Sequence, residues 1–260
     1  MDCCGFGARI ADLEQQNKEL HDDDKRRISE LEKQVKQLYD DKRRITDLEQ
    51  QNKELCDENK KRVAELEEQK NKLQNERDIS VRHAMAVKVT LDQDTMSPYL
   101  RVSEDGRSVR WTEQRQHLTD NPERFDMEPY ILGKKPEEIV WGYYWEVDVK
   151  NKKYWELGVA KDLVPRKGRI TLSPKSGFFV LSLWNGTTLE ALTGHETPVI
   201  SVSIPKRVGV HVDYREMKVS FYNAVDNSHI YTFEEKIDKT VHPFFSPGNK
   251  DQDDLTIIIT

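Results

Sequence analysis

"WGYYWEVDVKNKKYWELGVA", residues 141–160, carries three of the chain's five tryptophans and three of its nine tyrosines. Apolar and polar side chains alternate on both sides of a lysine-rich break. Trp145, Val147 and Val149 alternate with Tyr144, Glu146 and Asp148; Trp155, Leu157 and Val159 follow after the break. A period of two is that of a β-strand with one buried face. The stretch reads as two strands joined by a VKNKK hairpin turn, with Trp145 and Trp155 on the buried face. The aromatic cluster is therefore expected to be mainly the inside of a fold rather than a ligand box.

The same period extends outward. "VKVTL" (87–91), "VGVHVD" (208–213) and "KVSFYNA" (218–224) alternate, and turn formers such as SEDGRS, WNGTT, DYREM and SPGNKDQ separate them. Many short strands between turns predict an all-β antiparallel sandwich. "EQRQHLTDNPERFD" (113–126), with Pro122 and its Asx clusters, breaks the pattern and reads as a surface loop.

Upstream the chemistry changes. Residues 1–80 contain no Trp and no Pro. "ADLEQQNKEL" (11–20) returns as "TDLEQQNKEL" (46–55), an offset of 35 residues, or five heptads. Residues 1–9 are expected to be disordered and 10–80 to form a long α-helical coiled coil. Counting Ile10 as position a, the dimer seam holds Ile10, Leu13, Asn17, Leu20, Leu31, Leu38, Ile45, Leu48, Asn52, Leu55, Leu66 and Leu73. Asp24, Arg27, Gln34 and Asp41 interrupt it, and Ile28, Val35 and Val63 miss the register by one. Asn at a costs stability but favours two strands. Residues 10–77 would make a rod on the order of 100 Å long that spaces and pairs the folded part.

The net charge of −6 is spread among many basic residues, which argues against nucleic acid. The cysteines are Cys3, Cys4 and Cys56, all outside the globular part, so no disulfide framework is expected and a reducing, cytoplasmic setting is favoured. Membrane association would follow if Cys3 and Cys4 were acylated, or if the chain were the cytoplasmic part of a longer receptor. No apolar run reaches the length of a membrane span. HExxH, GxSxG, GxxxxGK[ST] and GxGxxG are all missing, so no catalysis, metal or cofactor is expected.

"VTLDQDTMSPYLRVSEDGRSVRW" (89–111), "NPERFD" (121–126), "YWEVDV" (144–149), "WELGVA" (155–160), "VSFYNA" (219–224) and "HPFFSPG" (242–248) stand in the order found in PRY-SPRY (B30.2) domains. Residues 81–260 resemble that family, with PRY at about 84–138 and SPRY at about 139–260. The resemblance implies a bent two-sheet β-sandwich that binds proteins through loops at one end. "DNPERFD" and "FYNAVDNSHIYTF" look like butyrophilins. "GVAKD", "SGFFVLSLWNG" and "HPFFSPG" look equally like tripartite-motif ubiquitin ligases. The implied role is a butyrophilin-like protein-binding module in immune signalling. The alternative is the substrate-recognition half of a tripartite-motif ligase without RING and B-box, whose zinc sets three cysteines cannot supply.

The family also implies candidate site residues. In an Fc-binding tripartite-motif member the contact surface takes an acidic residue after the "GV" strand, two tryptophans of "WxW" and an aromatic after "SPG". Here those places hold Asp162, Ser182 with Trp184, and Asn249, followed by Lys250. Two of the four are kept, which speaks against Fc. Leu181 and Leu183 share the apolar face of their strand, so Trp184 is expected to face a partner. Arg166, Lys167 and Arg169 form a basic loop. In phosphoantigen-binding butyrophilins a histidine stands where this chain has Glu156; a carboxylate there repels pyrophosphate, so no phosphoantigen is expected.

Overall fold

In the computed structural model, which describes residues 4–137, 139–194, 198–200, 203–237, 241–249 and 253–258, the chain divides into two compact units, 1–73 and 74–260. The first is helical throughout its described part. Helix α1 (Cys4–Ala84) is unbroken and its last eleven residues belong to the second unit. Gln15, Gln37 and Gln50 donate to carboxylates one turn on, at Glu19, Asp41 and Glu54, over 2.8, 3.0 and 2.6 Å. Such i,i+4 pairs support a solvated helix. They do nothing for the seam: from Ile10 to Leu73 its apolar side chains are all exposed in the single chain, Leu38 by 67%.

The second unit folds the period-two segments as predicted. Two antiparallel sheets face each other as a β-sandwich. The seven-stranded sheet has the order β1 (Leu100–Val102), β2 (Ser108–Trp111), β12 (Leu255–Ile258), β4 (Gly142–Asp148), β8 (Arg207–Asp213), β9 (Lys218–Asn223), β10 (His229–Thr232). The five-stranded sheet runs β3 (Ile131–Leu132), β11 (Val241–Ser246), β5 (Trp155–Lys161), β6 (Phe178–Trp184), β7 (Thr188–Ala191). Trp145, Val147, Trp155, Leu157, Phe179, Leu181, Val210 and Phe221 fill the space between them. Gly158 on β5 allows a close strand approach, because a Cβ there would run into the Phe179 carbonyl of β6.

Two expectations are corrected. The VKNKK segment is no hairpin. β4 pairs with β8 and β12, whereas β5 pairs with β6 and β11, so residues 149–154 carry the chain from one sheet to the other. Lys152 is buried in this crossing, its Nζ donating to the Asp253 carbonyl over 2.8 Å. A hairpin and an inter-sheet corner both place every second residue inward, so periodicity cannot separate them. Trp145 and Trp155 consequently face the core from opposite sheets.

The second correction concerns the other face of β4, where Tyr144 and Glu146 are also buried. The end of α1 and the segment after it cover that face. Ala86 bridges to Tyr144, the His83 ring lies 5.8 Å from the Tyr144 ring, and the Arg82 guanidinium sits 3.8 Å above the Tyr222 ring. Beneath them, the Tyr144 hydroxyl donates to Glu146 over 3.1 Å, and Arg207 pairs with Glu146 at 3.3 Å.

Residues 113–126 are irregular, as expected of a loop, yet the loop is anchored. Arg124 is buried and donates to the carbonyls of Thr119, Gln93 and Met96. That anchorage seats Phe125 against Tyr130, Phe178 and Phe244 on the outer face of the five-stranded sheet. Arg124→Ala strands three carbonyls at once and is expected to lower stability by about 2–4 kcal/mol in urea unfolding.

Candidate functional site

Strand register sets three polar side chains in a row across the outer face of the five-stranded sheet. Glu156 of β5 lies opposite Ser182 of β6 on one side and Ser246 of β11 on the other. Trp184 follows Ser182 by two residues on β6, so it shares that face, and it is 54% exposed. The ring of Tyr154 meets it edge-on at 5.2 Å. The Tyr154 hydroxyl in turn donates to Asn185 over 3.2 Å. The 128–130 segment and the Gly248–Asn249 turn close the remaining sides. The result is an open cavity of about 140 Å³ with Glu156, Ser182 and Ser246 in its lining and Trp184 at its rim.

Desolvation pushes the Glu156 carboxyl up to about 7; the Ser246 hydroxyl bonded to it opposes the shift and the Glu128 charge adds to it. The neutral form is favoured in the folded state. The unfolded carboxyl ionises from about pH 4.5 upward, so stability is lost as pH rises through about 7. Replacing the group with an uncharged one removes that loss. Glu156→Gln is expected to stabilise the protein at pH 8, by on the order of 3 kcal/mol at most, and to leave it nearly unchanged at pH 4, as read by denaturant unfolding.

The structure gathers Ser182, Trp184 and Asn249 around this cavity; Lys250 lies outside the described residues. Asp162 is not brought here. It stands just past the far end of β5, about 20 Å along the strand from Glu156, and Nε2 of His242 approaches its carboxylate at 2.6 Å. The acidic residues of the cavity are Glu128 and Glu156, the latter offered by the sequence only as an argument against phosphate. Glu128, Tyr130 and Tyr154 were missed. The available signal was parity: Glu156, Gly158 and Ala160 take the face opposite Trp155.

The basic loop is occupied with holding structure. Arg166 is buried, packs 4.9 Å from the centre of the Phe125 ring, and pairs with Glu123 at 3.8 Å. Lys167 bonds Asp120 and the Asn121 carbonyl over 2.6 and 2.8 Å. Both tie down the 113–126 loop, and Arg169 remains exposed. Among the described residues no His, Cys, Asp or Glu cluster could hold a metal, and no helix is long and apolar enough to cross a membrane.

Comparison with known proteins agrees with this architecture. The SPRY domain model matches residues 142–259 and the SPRY-associated domain model, PRY, matches 89–136. The chain is 43% identical over 168 residues to the E3 ubiquitin-protein ligase TRIM21 of Bos taurus, covering 64% of this chain and 36% of that protein. It is 41% identical over 174 residues to butyrophilin subfamily 1 member A1 of Bos taurus, covering 66% and 32%. The chain thus spans about a third of the length of these relatives. The crystal structure of the TRIM65 PSpry domain superimposes with a TM-score of 0.57 at 18% identity, over 68% of this chain and 92% of that one.

Proposed function

Because the chain carries a PRY-SPRY (B30.2) domain, we propose that it is a non-enzymatic adaptor whose coiled coil pairs two such domains, each binding a protein partner through the Trp184 surface. The observation that carries this reading is a large aromatic side chain left half in solvent beside a concave polar site. Tryptophan is enriched at binding hot spots because it buries much area at little entropic cost. Pairing adds avidity to a modest single-site affinity. The exposed heptad seam of α1 supports the pairing. The role is of butyrophilin-like type, in immune signalling or regulation.

Affinity capture with the wild type and Trp184→Ala in parallel tests the binding surface. The partner captured by the wild type should be bound at least about 30-fold more weakly by the variant. Equal capture would remove Trp184 from the surface. Light scattering at tens of micromolar tests the pairing, and a monodisperse monomer would defeat it. The similarity to a ubiquitin ligase supports a second reading, the substrate-recognition half of a tripartite-motif ligase. Transcripts decide between the two: RING and B-box exons spliced upstream favour the ligase, immunoglobulin and membrane-spanning exons favour the butyrophilin type.

A further inference from the structure

The cavity beside Trp184 has a one-sided charge. Glu128 and Glu156 both line it, and among the described residues no Lys, Arg or His stands in its lining. Tyr130, Tyr154 and Trp184 supply aromatic surface around the two carboxylates. Its volume of about 140 Å³ suits one side chain, since sites for drug-sized ligands run to about 300–1,000 Å³. A pair of carboxylates in a partly desolvated site repel each other. Aromatic faces attract cations, arginine above all. An anionic group would be repelled by the same pair.

We propose, resting on the reading of this surface as partner-binding, that the cavity receives one cationic side chain, arginine or lysine, from a protein partner. Its charge sits between Glu128 and Glu156, and its guanidinium plane or alkyl stem lies against Tyr154 and Trp184. Proton linkage follows from the surroundings of Glu156. It faces Ser182 from β6, Ser246 from β11, and Glu128 and Tyr130 from the 128–130 segment, with Tyr154 at the rim. Burial, Glu156 and Glu128 all push the Tyr130 phenol up, so it stays neutral. Glu156, raised to about 7, is the group that titrates near neutrality. An incoming cation favours its ionised form, so binding expels a proton and weakens as pH falls below about 7.

The test titrates N-acetyl-arginine methylamide and its uncharged citrulline counterpart onto the full chain, followed by NMR at the Trp184 indole and the Ser182 amide. The arginine compound should bind at least about tenfold more tightly than the citrulline one at about pH 8, and its affinity should fall at least about tenfold by about pH 5.5. Arginine stays charged throughout, so the pH response belongs to the protein. Glu156→Gln, close in shape to the native residue, should lose most of the preference for arginine and the pH dependence near 7. Glu128→Gln should keep the pH dependence and lose part of the charge preference. Equal shifts with both compounds on the wild type would overturn the cation proposal while leaving the binding surface standing. So would arginine binding that ignores pH. If neither compound shifts these resonances the cation proposal falls, and undiminished partner capture by Trp184→Ala would then remove the surface reading too.

Discussion

Trp145→Ala is expected to lower the free energy of unfolding by about 3–5 kcal/mol, a large share of the roughly 5–15 kcal/mol that holds a domain together. Trp145 is 1% exposed, stacks on Tyr143 with ring centres 5.3 Å apart, and lies opposite Val210 of the neighbouring strand. Tyr143 is pinned from its other end, its hydroxyl donating to the Val241 carbonyl of the five-stranded sheet over 3.1 Å. Truncation therefore opens a void whose walls cannot close, because both sheets are held by ladders on either side. The indole Nε1 of Trp145 has no hydrogen-bond partner among the described residues, so the loss is mainly one of packing. Trp145→Phe, which keeps a six-membered aromatic ring and loses the pyrrole ring with its nitrogen, should cost less than Trp145→Ala. Trp184→Ala should change stability by no more than about 0.5 kcal/mol, since its side chain is half in solvent. Guanidinium unfolding of the three variants checks the order. A Trp184 variant as unstable as the Trp145 variant would mean that Trp184 is a structural residue, and the binding surface would lose its main support.

Burial and period two made the sandwich legible. Trp145, Trp155, Leu157 and Val210 each declared an inward face by their neighbours, and the ordered motifs fixed the family. What local pattern could not supply was the third dimension. VKNKK looked like a hairpin because a turn within a sheet and a corner between sheets have the same alternation. Tyr144 and Glu146 looked like an outer face because the element that covers them, the end of α1, is more than fifty residues away in the chain. The same gap explains the site. Asp162 came from the resemblance to the family's contact surface; in the strand, six residues separate it from Glu156 and set it at the other end of β5. Glu156 was in plain sight beside Trp155. Its meaning depended on register with Ser182 and Ser246, drawn from strands 26 and 90 residues away.

If α1 pairs as proposed, Leu31→Lys with Leu38→Lys is expected to convert the dimer to a monomer while leaving the sandwich intact. Both positions fall at a in the heptad register, so a dimer would bury each of them twice. Losing the burial of a leucine costs about 1.5–3 kcal/mol, and four such sites cost about 6–12 kcal/mol before any repulsion between ammonium groups. A micromolar dimer is held by only about 8 kcal/mol, so the variant should sediment as a monomer at concentrations where the wild type is paired. Lysine is a good helix former, which keeps the helix from being the cause. Asp22→Lys with Ser29→Lys places two lysines at f positions on the solvent side and should remain dimeric. Unfolding of the β-sandwich should be the same in all three, because the substituted residues belong to the 1–73 unit. The functional consequence is a loss of avidity without a loss of single-site binding: capture on a surface dense in partner should fall by about 100-fold or more, while a soluble monovalent partner should bind as before. A Leu31/Leu38 variant that stays dimeric would show that the seam does not run through these residues, and a different face of α1 would have to be sought.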